Sequence, residues 1–139
     1  MKVIDFETAK VFTETFGHVR TVQCYDIWTI DNHRLVDWTS MEADYYLKDN
    51  SRFYSALSIQ ESVEYIESNS KYRIYVTPRF DGFDNAQCDT YFEIYVNGQP
   101  GGRDYSSDAH VGSKEESYNR AIIETCKLIQ RDRENGKQD

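Results

Sequence analysis

Long apolar runs are missing from this chain: no stretch approaches the roughly 18 apolar residues of a membrane-spanning helix. The opening MKVIDFETAK turns acidic before an apolar segment forms, so no secretory signal is expected and the reading is a soluble, cytoplasmic protein. Cysteine is scarce and odd in number. Cys24, Cys88 and Cys126 lie far apart with no CxxC or Cys/His spacing, which points to free thiols in a reducing compartment rather than a disulfide framework or a zinc site. Excess positive charge is absent too, the formal net charge being −8. Between residues 26 and 70 stand nine acids (Asp26, Asp31, Asp37, Glu42, Asp44, Asp49, Glu61, Glu64, Glu67) and three bases (Arg34, Lys48, Arg52). Such a field opposes phosphate, because nucleic-acid affinity comes largely from Lys and Arg displacing counterions, so nucleic acid is not the expected partner. Nor is there a serine elbow, a Walker loop, an HExxH or a paired catalytic carboxylate motif. No enzymatic activity and no cofactor are expected.

What remains is patterning that specifies elements. Asp5 precedes FETAKVFTETF as an N-cap; Phe6, Ala9, Phe12, Thr13 and Phe16 form one stripe, and Gly17 stands where a left-handed cap ends a helix. VRTVQCYDIWTI (19–30) and RLVDW (34–38) read as a hairpin. Residues 39–57 show no period and read as a long loop carrying Tyr45, Tyr46, Phe53 and Tyr54. Ser58 and Glu61 form a capping box that opens a second helix, whose outer side carries Glu61, Glu64 and Glu67.

The following strands, KYRIYVTPRF (71–80) and DTYFEIYVNG (89–98), both alternate. Tyr72, Ile74, Val76 and Phe92, Ile94, Val96 fall on one face, with Arg73, Tyr75, Thr77 and Tyr91, Glu93, Tyr95 on the other, the pattern of a sheet covered on one side. Pro78 ends its strand or places it at an edge. Asn97-Gly98 favours a tight reversal, and a short strand is expected near Gly102–Ser106. Ser113 and Glu116 cap a last helix with Tyr118, Ala121, Ile122, Thr125 and Ile129 inward. The closing polar residues read as a frayed tail.

The span YFEIYVNGQPGGRDYSSDAHVGSKEESYNRAIIETCKLI (91–129) resembles the second half of a double-stranded-RNA-binding domain. The resemblance implies an αβββα unit over 58–132, preceded by a helix, hairpin and loop (1–57) and followed by a polar tail (133–139), in one domain. In that family lysines open the last helix. Here Lys114 is followed by Glu115 and Glu116, and Tyr118 stands where a later lysine belongs. The likeness therefore bears on fold and not on RNA affinity. The FETAK helix, LVDW, YSALS and SKEESYNRAI segments are also similar to small phage and mobile-element proteins of gut Bacteroidales, which implies an accessory protein.

The expected fold is α+β: an antiparallel sheet with helices mainly on one face, which the N-terminal helix and hairpin extend or pack on. Two acidic clusters are candidate metal or acid–base sites. Asp81, Asp84 and Asp89 lack EF-hand spacing, and Asp104, Asp108 and His110 have the composition of an ordinary loop. His18 and His33 read as exposed and isolated. The eleven Tyr, seven Phe and two Trp exceed what the core periodicity uses. Tyrosine suits interfaces, so the leading expectation is a non-enzymatic protein-interaction module. Its surface would comprise Tyr45, Tyr46, Phe53, Tyr54, Glu61, Glu64, Glu67, Tyr75, Tyr91 and Tyr95, meeting another protein or a second copy of the chain. The alternatives are nucleic-acid binding by Lys71, Arg73, Arg79, Arg103 and Lys114, or a small metal-dependent enzyme built on Asp104, Asp108 and His110.

Overall fold

The computed structural model describes residues 2–19, 21, 23–29, 32–37, 53–79, 89–96, 105–106 and 113–136. In chain order these form α1 (Phe6–Phe16), β1 (Gln23–Thr29), β2 (Asn32–Asp37), β3 (Phe53–Ser55), α2 (Ile59–Asn69), β4 (Tyr72–Arg79), β5 (Asp89–Val96), β6 (Tyr105–Ser106) and α3 (Lys114–Gly136). The fold is α+β, with two three-stranded antiparallel sheets ordered β2-β1-β3 and β4-β5-β6.

The caps form where the sequence places them. Asp5 accepts from the Thr8 backbone N–H at 2.8 Å and from its hydroxyl at 2.6 Å, satisfying a donor that the first turn of α1 leaves without an intrahelical partner. Gly17, at φ 80°, ends α1 by donating to the Thr13 carbonyl at 2.8 Å, in a backbone conformation that costs any side chain. Ser58 Oγ accepts from Glu61 N at 3.1 Å, and Ser113 Oγ from Glu116 N at 3.2 Å.

Of the two expected arrangements, extension of the β4–β6 sheet or packing on it, extension does not occur among the described strands: the N-terminal hairpin belongs to a sheet of its own. β1 already has two neighbours: it pairs with β2 (Tyr25 opposite Leu35) and with β3 (Cys24 opposite Ser55), so neither of its edges is open. β3 lies within the segment 39–57 that reads as a loop, with Ala56 and Leu57 buried after it; residues 39–52 lie outside the described residues. Three residues are too few to display a period, and Phe53 and Ser55 are drawn inward. In the second sheet the alternation holds: Tyr72, Ile74, Phe92 and Ile94 are buried, while Tyr75 is 46 % exposed. Pro78 lies in β4 opposite Thr90, in a strand whose one sheet neighbour is β5, so its missing N–H removes no bond from a central ladder.

One hydrophobic cluster draws on both halves, joining Ile4, Phe12 and Tyr25 to Ile66, Ile74, Ile94, Ile122 and Ile129. The N-terminal segment stitches it. Ile4 N donates to Leu57 O at 2.9 Å, Ile59 N to Lys2 O at 3.2 Å, and Asp5 N to Asn119 Oδ1 at 2.9 Å. The Tyr25 hydroxyl donates to Ile4 O at 2.6 Å; burial, and then Asp5, pushes that phenol's pKa up.

The polar end of α3 departs from the frayed-tail expectation, since the helix runs to Gly136. Gln130 donates to Thr15 Oγ1 at 2.7 Å, Arg133 donates to the Thr15 carbonyl, and the Arg133 guanidinium lies 5.7 Å from the Phe16 ring centre. The Tyr72 hydroxyl donates to Asp132, and Lys71 stands 3.5 Å from the same carboxylate. Those two partners, the tyrosine first, hold the Asp132 pKa below the usual carboxylate range. A group depressed in the folded state stabilises above its unfolded pKa, near 3.9, and loses that contribution as pH falls through the folded value. Asp132→Asn should therefore lower the urea midpoint at neutral pH. Its difference from the native chain should shrink below about pH 4. Parallel midpoints down to acid would remove this role.

Cys24 and Cys126 are buried; Cys88 lies outside the described residues. Burial pushes the Cys126 thiol up to about 12 despite the opposing Thr15 and Arg133. Reactivity requires thiolate. Iodoacetamide at pH 8 is expected to leave both residues unmodified in the native protein and to alkylate both in urea. Native labelling of Cys126, read by mass spectrometry, would contradict this packing.

Candidate interaction surface

β4 and β5 pair with Tyr75 opposite Glu93 and Arg73 opposite Tyr95, so these four side chains share the face turned away from the core. The Tyr75 and Tyr95 rings meet at 4.8 Å between centres, tilted by 47°. The Tyr95 hydroxyl donates to Glu93 Oε2 at 2.7 Å. Glu93 is 8 % exposed, although it lies on the side opposite the aliphatic core. The result is a carboxylate set between an exposed tyrosine and a half-buried one.

This face is joined to the acidic helix at the sheet edge. Arg73 Nη1 pairs with Glu67 Oε2 at 3.2 Å, which ties the end of α2 to β4. Glu61 and Glu64 remain exposed on α2, and Gln60 donates to Glu64 at 3.1 Å. Among the residues expected from sequence, the structure thus brings Tyr75 and Tyr95 together and connects them through Arg73 to Glu67, with Glu61 and Glu64 farther along the helix.

Other members of that list do not join this surface. Phe53 is 4 % exposed, because the β3 pairing turns it inward, so it is packing rather than contact surface. Tyr54 is half-buried against the core, its ring 5.6 Å from Phe6. Tyr45 and Tyr46 lie outside the described residues, and of Tyr91 the backbone pairing with Thr77 is described. Glu93 joins this surface although the sequence does not single it out. Its signal was its place between Tyr91 and Tyr95 in an alternating strand, where it first reads as an ordinary solvated residue.

His33 is exposed and His18 half-buried, but neither is isolated. His33 stacks on Phe6 at 3.8 Å and 5° between planes, and meets Tyr25 edge-on at 5.9 Å. His18 Nε2 lies 2.8 Å from the Phe53 carbonyl; since a carbonyl only accepts, that nitrogen carries the proton. Asp81, Asp84, Asp104, Asp108 and His110, and the side chain of Asp89, lie outside the described residues. Among the described residues no group of three His, Cys, Asp or Glu is arranged to hold a metal. No described helix is long and apolar enough to cross a membrane.

On the helical side, a groove of about 500 Å³ opens between the first turns of α2 and α3, within the roughly 300–1,000 Å³ usual for ligand pockets. Ile59, Val63, Ile74 and Tyr118 supply its apolar lining; Lys2, Gln60, Glu64, Lys114 and Glu115 supply the polar part. Lys2 and Glu115 neutralise one another across 3.1 Å. Comparison with protein-family models, with curated proteins and with solved structures found no match to this chain.

Proposed function

We propose that this chain is a non-enzymatic protein-interaction module that uses the open face of β4–β5 and the neighbouring acidic side of α2. The observation that carries the reading is Tyr75: a large ring left 46 % exposed, braced by Tyr95, on a sheet face opposite the core. Aromatic residues with a polar tip dominate protein interfaces because they bury much area with little rotamer entropy. The negative net charge favours a basic partner. The setting proposed with it, from the sequence likeness, is an accessory protein of a phage or mobile element acting in the host cytoplasm.

The nucleic-acid alternative is disfavoured by the pairing of its own cations. Lys71 is committed to Asp132, and Arg73 to Glu67. Of the remaining three, the Arg79 side chain and Arg103 lie outside the described residues, and Lys114 adjoins Glu115 and Glu116. Phosphate contacts need net positive charge.

The test is affinity capture from the producing host with stepped salt elution, beside a gel-shift assay with duplex RNA at low salt. The reading expects a stoichiometric protein released at moderate salt, lost from Tyr75→Ala, and no RNA shift. Capture that Tyr75→Ala leaves intact, or retarded RNA, would contradict it. Self-association through this face would appear as a dimer that Tyr75→Ala dissociates.

A further inference from the structure

Glu93 is 8 % exposed as a residue, yet among the described residues the polar partner of its carboxylate is a single phenol, Tyr95. An ionised carboxylate offers about four acceptor positions, and burying it with most of them empty is costly unless a cation or further donors approach. Among the described side chains, the β4 cation on the same face, Arg73, is held by Glu67 at 3.2 Å. The sheet therefore keeps a carboxylate short of partners beside an exposed ring.

We propose that Glu93, Tyr75 and Tyr95 form a subsite for one arginine side chain of a partner protein, a refinement that rests on the interaction reading above. A guanidinium matches both halves of the site. Its plane stacks on a tyrosine face, and its forked N–H groups reach a carboxylate with two parallel bonds. A lysine ammonium is a compact, strongly hydrated point charge that fills the second role alone. The Tyr95 hydroxyl, by donating to Oε2, leaves Oε1 for the incoming guanidinium. Tyr75, opposite Glu93 in the pairing, supplies the exposed ring.

The test uses the full chain, labelled with ¹⁵N, and the probe peptide acetyl-Gly-Arg-Gly-amide at low salt, with the lysine peptide beside it. Saturable shifts should centre on the amides of residues 73–75 and 93–95. Glu93→Gln, which keeps the acceptor for Tyr95 but removes the charge, should weaken the arginine peptide about tenfold, the scale of one lost charge-assisted contact. Glu61→Gln removes the same charge from α2 and should leave binding unchanged. The lysine peptide should bind more weakly than the arginine one. Glu93→Gln should also melt at or above the native temperature, since a buried charge short of partners is no source of stability.

Absence of shifts in the native chain would overturn the subsite. So would equal weakening by the Glu61 and Glu93 variants, which signals a general acidic field, or a melting temperature several degrees lower for Glu93→Gln, which makes the carboxylate structural. The two proposals separate cleanly. A captured partner that depends on Tyr75, without Glu93-dependent peptide binding, keeps the module and sinks the subsite. Glu93-dependent arginine binding with no captured partner does the reverse.

Discussion

Phe12→Ala is expected to lower the free energy of unfolding by about 3–5 kcal/mol, the range for deleting a fully buried aromatic side chain. Phe12 is 0 % exposed, and its ring meets Phe16 at 4.9 Å and Tyr65 at 5.5 Å, where α1 packs toward α2. The loss combines transfer of the ring to water with the cavity it leaves, because the caps at Asp5 and Gly17 hold α1 at both ends and limit collapse. Domains of this size are typically stable by about 5–15 kcal/mol, so the variant should lose a large fraction of its stability. Phe16→Ala should cost less, since Phe16 is half-buried and partly covered by Arg133. Urea denaturation followed by far-UV circular dichroism measures both. A Phe12→Ala loss below about 1 kcal/mol would mean that α1 is not part of the common core.

Asn119→Ala is the second large effect, about 1–3 kcal/mol, and arises from an unsatisfied donor rather than from a cavity. Asn119 lies in the buried face of α3; its Oδ1 accepts from Asp5 N at 2.9 Å, and its Nδ2 donates to Glu115 O at 2.9 Å. Removing the amide leaves the Asp5 N–H without its acceptor at the point where the N-terminal segment crosses α3. The damage should therefore spread to the bonds Ile4 N–Leu57 O and Ile59 N–Lys2 O. Hydrogen exchange should show faster exchange at Ile4, Asp5 and Ile59 than in native protein, with β4 and β5 changed only through the global loss. Unchanged protection at Ile4 and Ile59 would show that Asn119 is not the fastener of that segment.

The legible parts of this fold were those whose physics is local. Asp5, Gly17, Ser58 and Ser113 act at helix ends through bonds spanning three or four residues, and a short motif reports them. The alternation in 72–76 and 92–96 is equally local, and it separated Ile74 and Ile94 from Tyr75. What sequence did not convey was long-range. β3 has three residues and exists because β1 offers it an edge, and alternation within a strand does not say which sheet it joins. The end of α3 reads as tail because the apolar period stops at Ile129. Arg133 and Asp132 are held instead by Thr15, Phe16 and Tyr72, through polar and stem contacts that hydrophobic periodicity does not register.

The candidate surface divides along the same line. Tyr75 and Tyr95 follow from strand alternation, and their pairing follows from register. Phe53 and Tyr54 share the aromatic composition of that surface, but the β3 pairing turns Phe53 inward and leaves Tyr54 half-buried against Phe6. Glu93 looked like an ordinary solvated strand residue; only the packing of its neighbours makes it a carboxylate largely closed off from water.

Photo-cross-linking from position 75 in the producing host tests the interaction account most directly. A benzophenone side chain replaces Tyr75 on the open sheet face, and in a control chain it replaces Arg120, an exposed residue of α3. The account predicts one discrete adduct from position 75, suppressed by raised salt, and none from position 120. Adducts of the same pattern from both positions, or none from position 75, would contradict it.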